Sequence, residues 1–142
     1  MLAISESNST QLQYIPSGEL PAVWRAAWWF LAPAVAGAEE MAEASVCSKI
    51  ATGKLHLFMV YDGDRSVGAA TLSITETDFQ KVATIVHLGG DFDRMVPHFE
   101  DLKSWARAHG AKAFRIWGRK GWLKKAAPLG FKEKFFVMEA QI

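Results

Sequence analysis

LHLFMVYDGDRSVGAATLSITETDFQKVATIVHLGG, residues 55–90, decides the fold. Leu55–Tyr61 is apolar and β-prone. Asp62-Gly63 is a strong turn signal, and Val67–Thr75 follows it with strand character. The pair reads as a β-hairpin, because Asp-Gly adopts the positive φ angles that a tight hairpin turn needs. Phe79–Leu88 reads as a third strand after a short turn, and Gly89-Gly90 is expected to break it.

Beyond this meander the periodicity changes. Phe99, Leu102, Trp105 and Ala106 share one face of a helix spanning roughly Val96–His109, with Gly110 as its stop. Ala113–Trp117 reads as a strand, Trp122–Leu129 as a short helix ending at Gly130, and Phe135–Ala140 as a closing strand. On the N-terminal side, Leu20, Val23, Trp24, Ala27, Trp28 and Leu31 recur at helical spacing after Pro21, and Pro33 is expected to end or kink that helix. A second helix is expected over Ala38–Ile50, with Glu39, Glu40 and Glu43 in its first turns, where the helix dipole favours acids. Residues 1–17 form an irregular or short β lead-in, with Leu12, Tyr14 and Ile15 available for packing. The resulting class is α/β with a mixed (α+β) sheet: antiparallel strands followed by a βαβ unit, helices on both faces, in one domain over 1–142.

The totals narrow the function. Of 142 residues half are apolar, with six Trp and nine Phe, which is ample for one packed core. The net charge of +1 gives no global attraction to nucleic acid or membrane. Charge is uneven, however: from Gly110 to Ile142 there are eight Lys or Arg against two Glu. That segment is either a solvated face or a site for an anion or acidic partner. Cys47 is the one cysteine, so no intramolecular disulfide forms, which fits a reducing compartment. Met1–Tyr14 lacks a positive start followed by an apolar core, so a cytoplasmic location is expected. Ala26–Ala38 is too short to span a bilayer. His56, His87, His98 and His109 show no metal-ligand spacing, and no nucleophile elbow or phosphate-binding loop string occurs. Trp24, Trp28 and Trp29 read as core residues, or as an aromatic patch for a partner.

Two local strings add a family resemblance. Trp105-Ala106-Arg107-Ala108-His109-Gly110-Ala111 resembles the end of the long helix after the fourth strand of the GNAT (N-acetyltransferase-like) superfamily. Leu129-Gly130-Phe131, followed by Lys132-Glu133, resembles the turn leading into its last strands. Gly118-Arg119-Lys120-Gly121-Trp122, with Trp105-Ala106-Arg107, resembles the small GNAT-like proteins encoded by bacteriophages. The resemblance implies the GNAT fold and, from its narrower part, a virion structural or assembly protein. Its partners would then be other virion proteins or further copies of itself, in the host cytoplasm and the virion.

The family's catalytic signatures are worn. Its diphosphate signature, Q/R-x-x-G-x-G/A, falls on Gly90-Asp91-Phe92-Asp93-Arg94-Met95, where no glycine stands at the needed positions. Asp91 and Asp93 instead bring carboxylates toward a polyanion. Each such pair of charges about 4 Å apart repels by roughly 4 kcal/mol at an effective dielectric near 20. The bland role for both is helix N-capping. The family's tyrosine general acid would fall on Ala126, and its frequent asparagine on Arg119. A general base belongs near the third or fourth strand, where Glu76, Asp78 and His87 are the candidates.

Two functions therefore stand open. One is a GNAT-fold phage-type protein with a degenerate acetyl-CoA motif that works through its surfaces. The other is an acetyl-CoA-dependent N-acetyltransferase acting on a primary amine. In the second, the main chain of Val86, Leu88 and their neighbours would hold the pantetheine. Gly89, Gly90 and Arg94 would then face the diphosphate, with Arg119 or Lys120 near phosphate. Nucleic-acid binding through the basic segment is a third and weaker reading.

Overall fold

The computed structural model describes residues 10–38, 40–118, 120–135 and 137–142. Strands β1 (Gln11–Ile15), β2 (His56–Asp62), β3 (Arg65–Glu76), β4 (Lys81–Gly90) and β5 (Ala113–Ile116) form one sheet in that order. The first four pair antiparallel, and β5 runs parallel to β4. The Asp62-Gly63 hairpin forms as expected, with Asp62 opposite Arg65 and Gly63 at φ +62°.

Alternation along the strands divides the core into two layers. Leu57, Met59 and Ala69 point toward α1 (Leu20–Ala38) and α2 (Glu43–Ala51), where they meet Ala27, Leu31, Val35, Val46 and Ile50. Phe58, Val60, Ala70 and Leu72 point to the other side. There they meet Met95, Phe99 and Leu102 of a helical path made of α3 (Phe92–Met95), a 3-10 turn (Val96–His98) and α4 (Phe99–Ala108). After β5 the chain makes a last helical segment, Lys120–Leu129, centred on α5 (Leu123–Ala126).

The structure corrects several expectations. Helix α1 continues through Pro33 to Ala38. Proline removes one backbone donor at a cost of about 3 kcal/mol in a helix interior. Here Pro33 is exposed, and Leu31 and Val35 on the inner face are 0% and 3% exposed, so packing overrides the local break. Helix α2 starts at Glu43, leaving Glu40 and Met41 in the connection; Glu39 lies outside the described residues. Strand β4 does not stop at Gly89-Gly90 but carries both, paired with Ala69 and Gly68. The helical path begins at Phe92 rather than Val96, because Asp91 caps it by accepting the N–H of Asp93 at 3.0 Å.

The closing strand expected over Phe135–Ala140 is absent from its described residues, which leave Phe135, Val137 and Met138 exposed. A β-prone string becomes a strand only where an edge accepts its hydrogen bonds, and β5 at the sheet edge is four residues long. Of the three tryptophans on α1, Trp24 and Trp28 stack on each other at 5.6 Å and pack against the core, while Trp29 is exposed.

Candidate functional site

Strands β4 and β5 part company. Their parallel pairing runs from Val82–Ala113 to Ile85–Ile116, and the Trp117 N–H closes it on the Ile85 carbonyl at 3.1 Å. Beyond that point β5 ends, whereas β4 continues to Gly90 against β3. Among the described residues the main chain of Val86–Gly90 therefore has no strand beside it on the β5 side. A cleft of about 510 Å³ opens there. One wall is Val86–Gly90 with Trp117, Gly118 and Trp122, and the other is the C-terminal half of α1 with Glu40 and Met41.

A bulge sets which side chains face this cleft. Thr71 pairs with His87 and the next residue, Leu72, pairs with Ile85, so Val86 is an extra residue in β4. Ile85 lies in the α4 layer, and strict alternation would return His87 to that layer. With the bulge, Val86 packs in the α1 layer and His87 joins Thr71 on the same side. Leu88 then faces α4, and Gly89 faces α1.

His87 is 3% exposed, and its Nδ1 is 2.8 Å from the Thr71 hydroxyl. It lines the cleft, and no other hydrogen bond to its ring occurs among the described residues, so Nε2 is the nitrogen left to the cleft. Burial pushes its pKa down, because desolvation penalises the imidazolium. The ring is thus neutral at pH 7. When Nδ1 carries the proton and donates it to Thr71, Nε2 is an acceptor facing the cleft.

The remaining site residues named from the sequence fall as follows. Val86, Leu88, Gly89 and Gly90 line the cleft with His87. Arg94 does not, because its guanidinium donates to Asp62 at 3.0 Å. Asp91 is the cap described above, and Asp93 pairs with Lys125 at 3.0 Å. The first-turn amides after β4 are accordingly engaged: Asp93 N–H by the Asp91 carboxylate, Arg94 N–H by the Asp91 carbonyl. Arg119 lies outside the described residues, and Lys120 opens the segment leading to α5. Ala126 is a buried methyl in α5, away from the cleft lining. Glu76, bridged to Lys81 at 3.8 Å, and Asp78 sit by the start of β4, at the end far from the cleft.

Sequence reasoning missed Thr71, Glu40, Met41, Trp117 and Trp122. Trp122 stood in the quoted Gly118–Trp122 string. Glu40 was assigned to a helix that begins three residues later. Among the described residues no group of three or more His, Cys, Asp or Glu could hold a metal, and no helix is long and apolar enough to cross a membrane.

Three histidines share a lowered pKa. Desolvation is the main cause at His56, with the neighbouring His109 charge adding to it. At His98 desolvation outweighs the opposing charge of Asp101, and at His87 it acts alone. All three bind protons more readily once unfolded. Their contribution to stability is complete above the unfolded value of 6.5 and is lost as pH falls below it through the folded values. Each contributes a slope of at most about 1.4 kcal/mol per pH unit in that window. We expect the melting temperature to fall steadily from pH 7 to pH 5, and replacing His87 and His98 with Gln to flatten that decline. A profile equally steep in the variants would refute this.

The architecture is matched in known structures. An aminoglycoside acetyltransferase, meta-AAC0020, from an uncultured soil metagenomic sample, in complex with sisomicin, aligns with TM-score 0.68 over 96% of this chain and 98% of its own, at 13% identity. The aminoglycoside N-acetyltransferase AAC(6')-Iy in complex with CoA aligns with TM-score 0.67 over 94% of each chain, at 15% identity. A GNAT family acetyltransferase from Staphylococcus aureus gives 0.64 at 8% identity, over 94% of this chain and 99% of its own. The chain thus has an acetyltransferase-type α/β fold. That fold is specifically the GNAT fold, with its mixed sheet and flanking helices. No family model matches the chain, and no curated protein matches it.

Proposed function

We propose that this chain is an acetyl-CoA-dependent N-acetyltransferase acting on a primary amine. The observation that carries the reading is the parting of β4 from β5, which leaves main-chain groups of Val86–Gly90 without a strand partner on that side among the described residues, beside a cleft with His87 in its wall. Those groups suit the amides of a pantetheine arm, and Trp117 and Trp122 suit its methylenes. The acceptor amine attacks the acetyl carbon, forming the C–N bond as the C–S bond breaks. His87 Nε2 takes the proton that the nitrogen must lose. The departing thiolate needs no dedicated acid, because it is a fair leaving group, so the methyl of Ala126 in place of a phenol is compatible with turnover.

The diphosphate end is less well provided. Asp91 occupies the cap and Asp93 stands beside it, so phosphate oxygens meet carboxylates rather than bare amides. That observation favours a second reading, in which the chain has given up catalysis and works through its surfaces, as the phage resemblance implies. Melting with and without millimolar acetyl-CoA separates the two. A ligand at a hundredfold excess over its dissociation constant adds about 2.7 kcal/mol, or roughly 8 °C for a domain of this size. We expect a shift of that order, enlarged in Asp93→Gly. No shift would remove the enzyme reading.

A further inference from the structure

We infer that the acceptor is a small primary amine with an apolar, preferably aromatic, body, captured as its ammonium ion by Glu40 at the rim. It gives one proton to solvent before the free amine attacks the acetyl carbon, and the second to His87. This rests on the N-acetyltransferase reading of the same cleft and specifies its substrate. Among the described lining residues Glu40 and His87 are the only titratable side chains. Glu40 is exposed at the rim, just past the end of α1, and His87 is buried in the opposite wall. A single carboxylate suits a single ammonium group.

Apart from the two indole N–H groups the other lining side chains are apolar, and the exposed main chain of Val86–Gly90 is taken up by the pantetheine arm in this reading. Phe30 and Met41, in the α1 wall beside Glu40, offer hydrophobic faces that the pantetheine arm leaves unused. Ala34, Gly37 and Ala38 keep the α1 wall free of bulk, and a Cβ at Gly37 would meet nothing within 4 Å. An aminoglycoside or a polyamine would bring several ammonium and hydroxyl groups into this space. Most would lose water without gaining a partner, which is the penalty that excludes polar ligands from apolar sites. The ligand named for the meta-AAC0020 structure, sisomicin, is therefore not the chemistry this cleft is shaped for.

The test runs in two stages. The first is the acetyl-CoA melting shift, which decides the underlying reading. The second follows CoA thiol release with 2-phenylethylamine, spermidine and kanamycin as acceptors. We expect kcat/KM for 2-phenylethylamine to exceed the other two by at least about tenfold. Glu40→Gln should raise its KM about tenfold while leaving the acetyl-CoA shift intact, since one charge-assisted contact is lost. Glu40 is exposed, so this variant will fold. Gly37→Leu should slow 2-phenylethylamine more than ethylamine by narrowing the cleft.

Spermidine or kanamycin equalling the aryl amine, or an unchanged KM in Glu40→Gln, would overturn the inference. An acetyl-CoA shift with none of the three amines acetylated defeats the acceptor assignment alone. Absence of any shift defeats both.

Discussion

Gly89→Ala is expected to remove a large part of the folding stability, although it adds one methyl group. A Cβ at Gly89 would overlap the carbonyl carbon and oxygen of Phe30 in the backbone of α1. Overpacking against side chains typically costs 1–3 kcal/mol. Here the obstacle is main chain, so no rotamer change can relieve it, and α1 must lift from β4. That interface carries Leu31 and Val35 of the core. We expect a loss of at least about 3 kcal/mol, against a total of roughly 5–15 for a domain. Gly37→Ala is the matched control. Its Cβ meets open space within a helix, so it should stabilise by about 0.5–1 kcal/mol. Denaturant melts of both variants check this, and a Gly89→Ala protein as stable as its parent would show that α1 sits farther from the sheet than described.

His87→Gln should reduce kcat for amine acetylation by about a hundredfold or more, the usual worth of a positioned proton acceptor. The amine KM should change little, because Glu40 rather than His87 holds the ammonium group. The pH profile distinguishes chemistry from mere support. In the parent, burial lowers the His87 pKa, so the acid limb of kcat/KM lies below pH 6.5. In the variant that limb should vanish, leaving only the titration of the amine itself. An unaltered rate, or an unaltered limb in a slow variant, would remove His87 from the reaction.

Much of this architecture was legible from local signals. Asp62-Gly63 fixed a hairpin because its backbone preference is intrinsic. The apolar face from Phe99 to Ala106 declared α4, and of the two aspartates expected as caps Asp91 is one, whereas Asp93 pairs with Lys125. Other features depended on contacts between distant segments. Gly89-Gly90 looked like punctuation, yet the first is a close-approach residue under α1 and the second takes φ +106° against β3. Pro33 looked like a stop and is held within a helix by its buried neighbours. The candidate site was legible as a stretch, Val86–Gly90, but not as an arrangement. Thr71 gives no sign of being the partner of His87 until the register is known, and Arg94 gives none of turning to Asp62, 32 residues away.

The extra residue at Val86 also ties two properties of the protein to a single count of residues. Everything in β4 before it and everything after it is assigned to opposite layers by parity, and the insertion resets that parity once. Were Val86 drawn into regular pairing at unchanged strand length, strict alternation would turn the imidazole into the α4 layer and Leu88 into the opening. The irregular pairing, rather than the side chain that carries it, keeps the imidazole at the cleft.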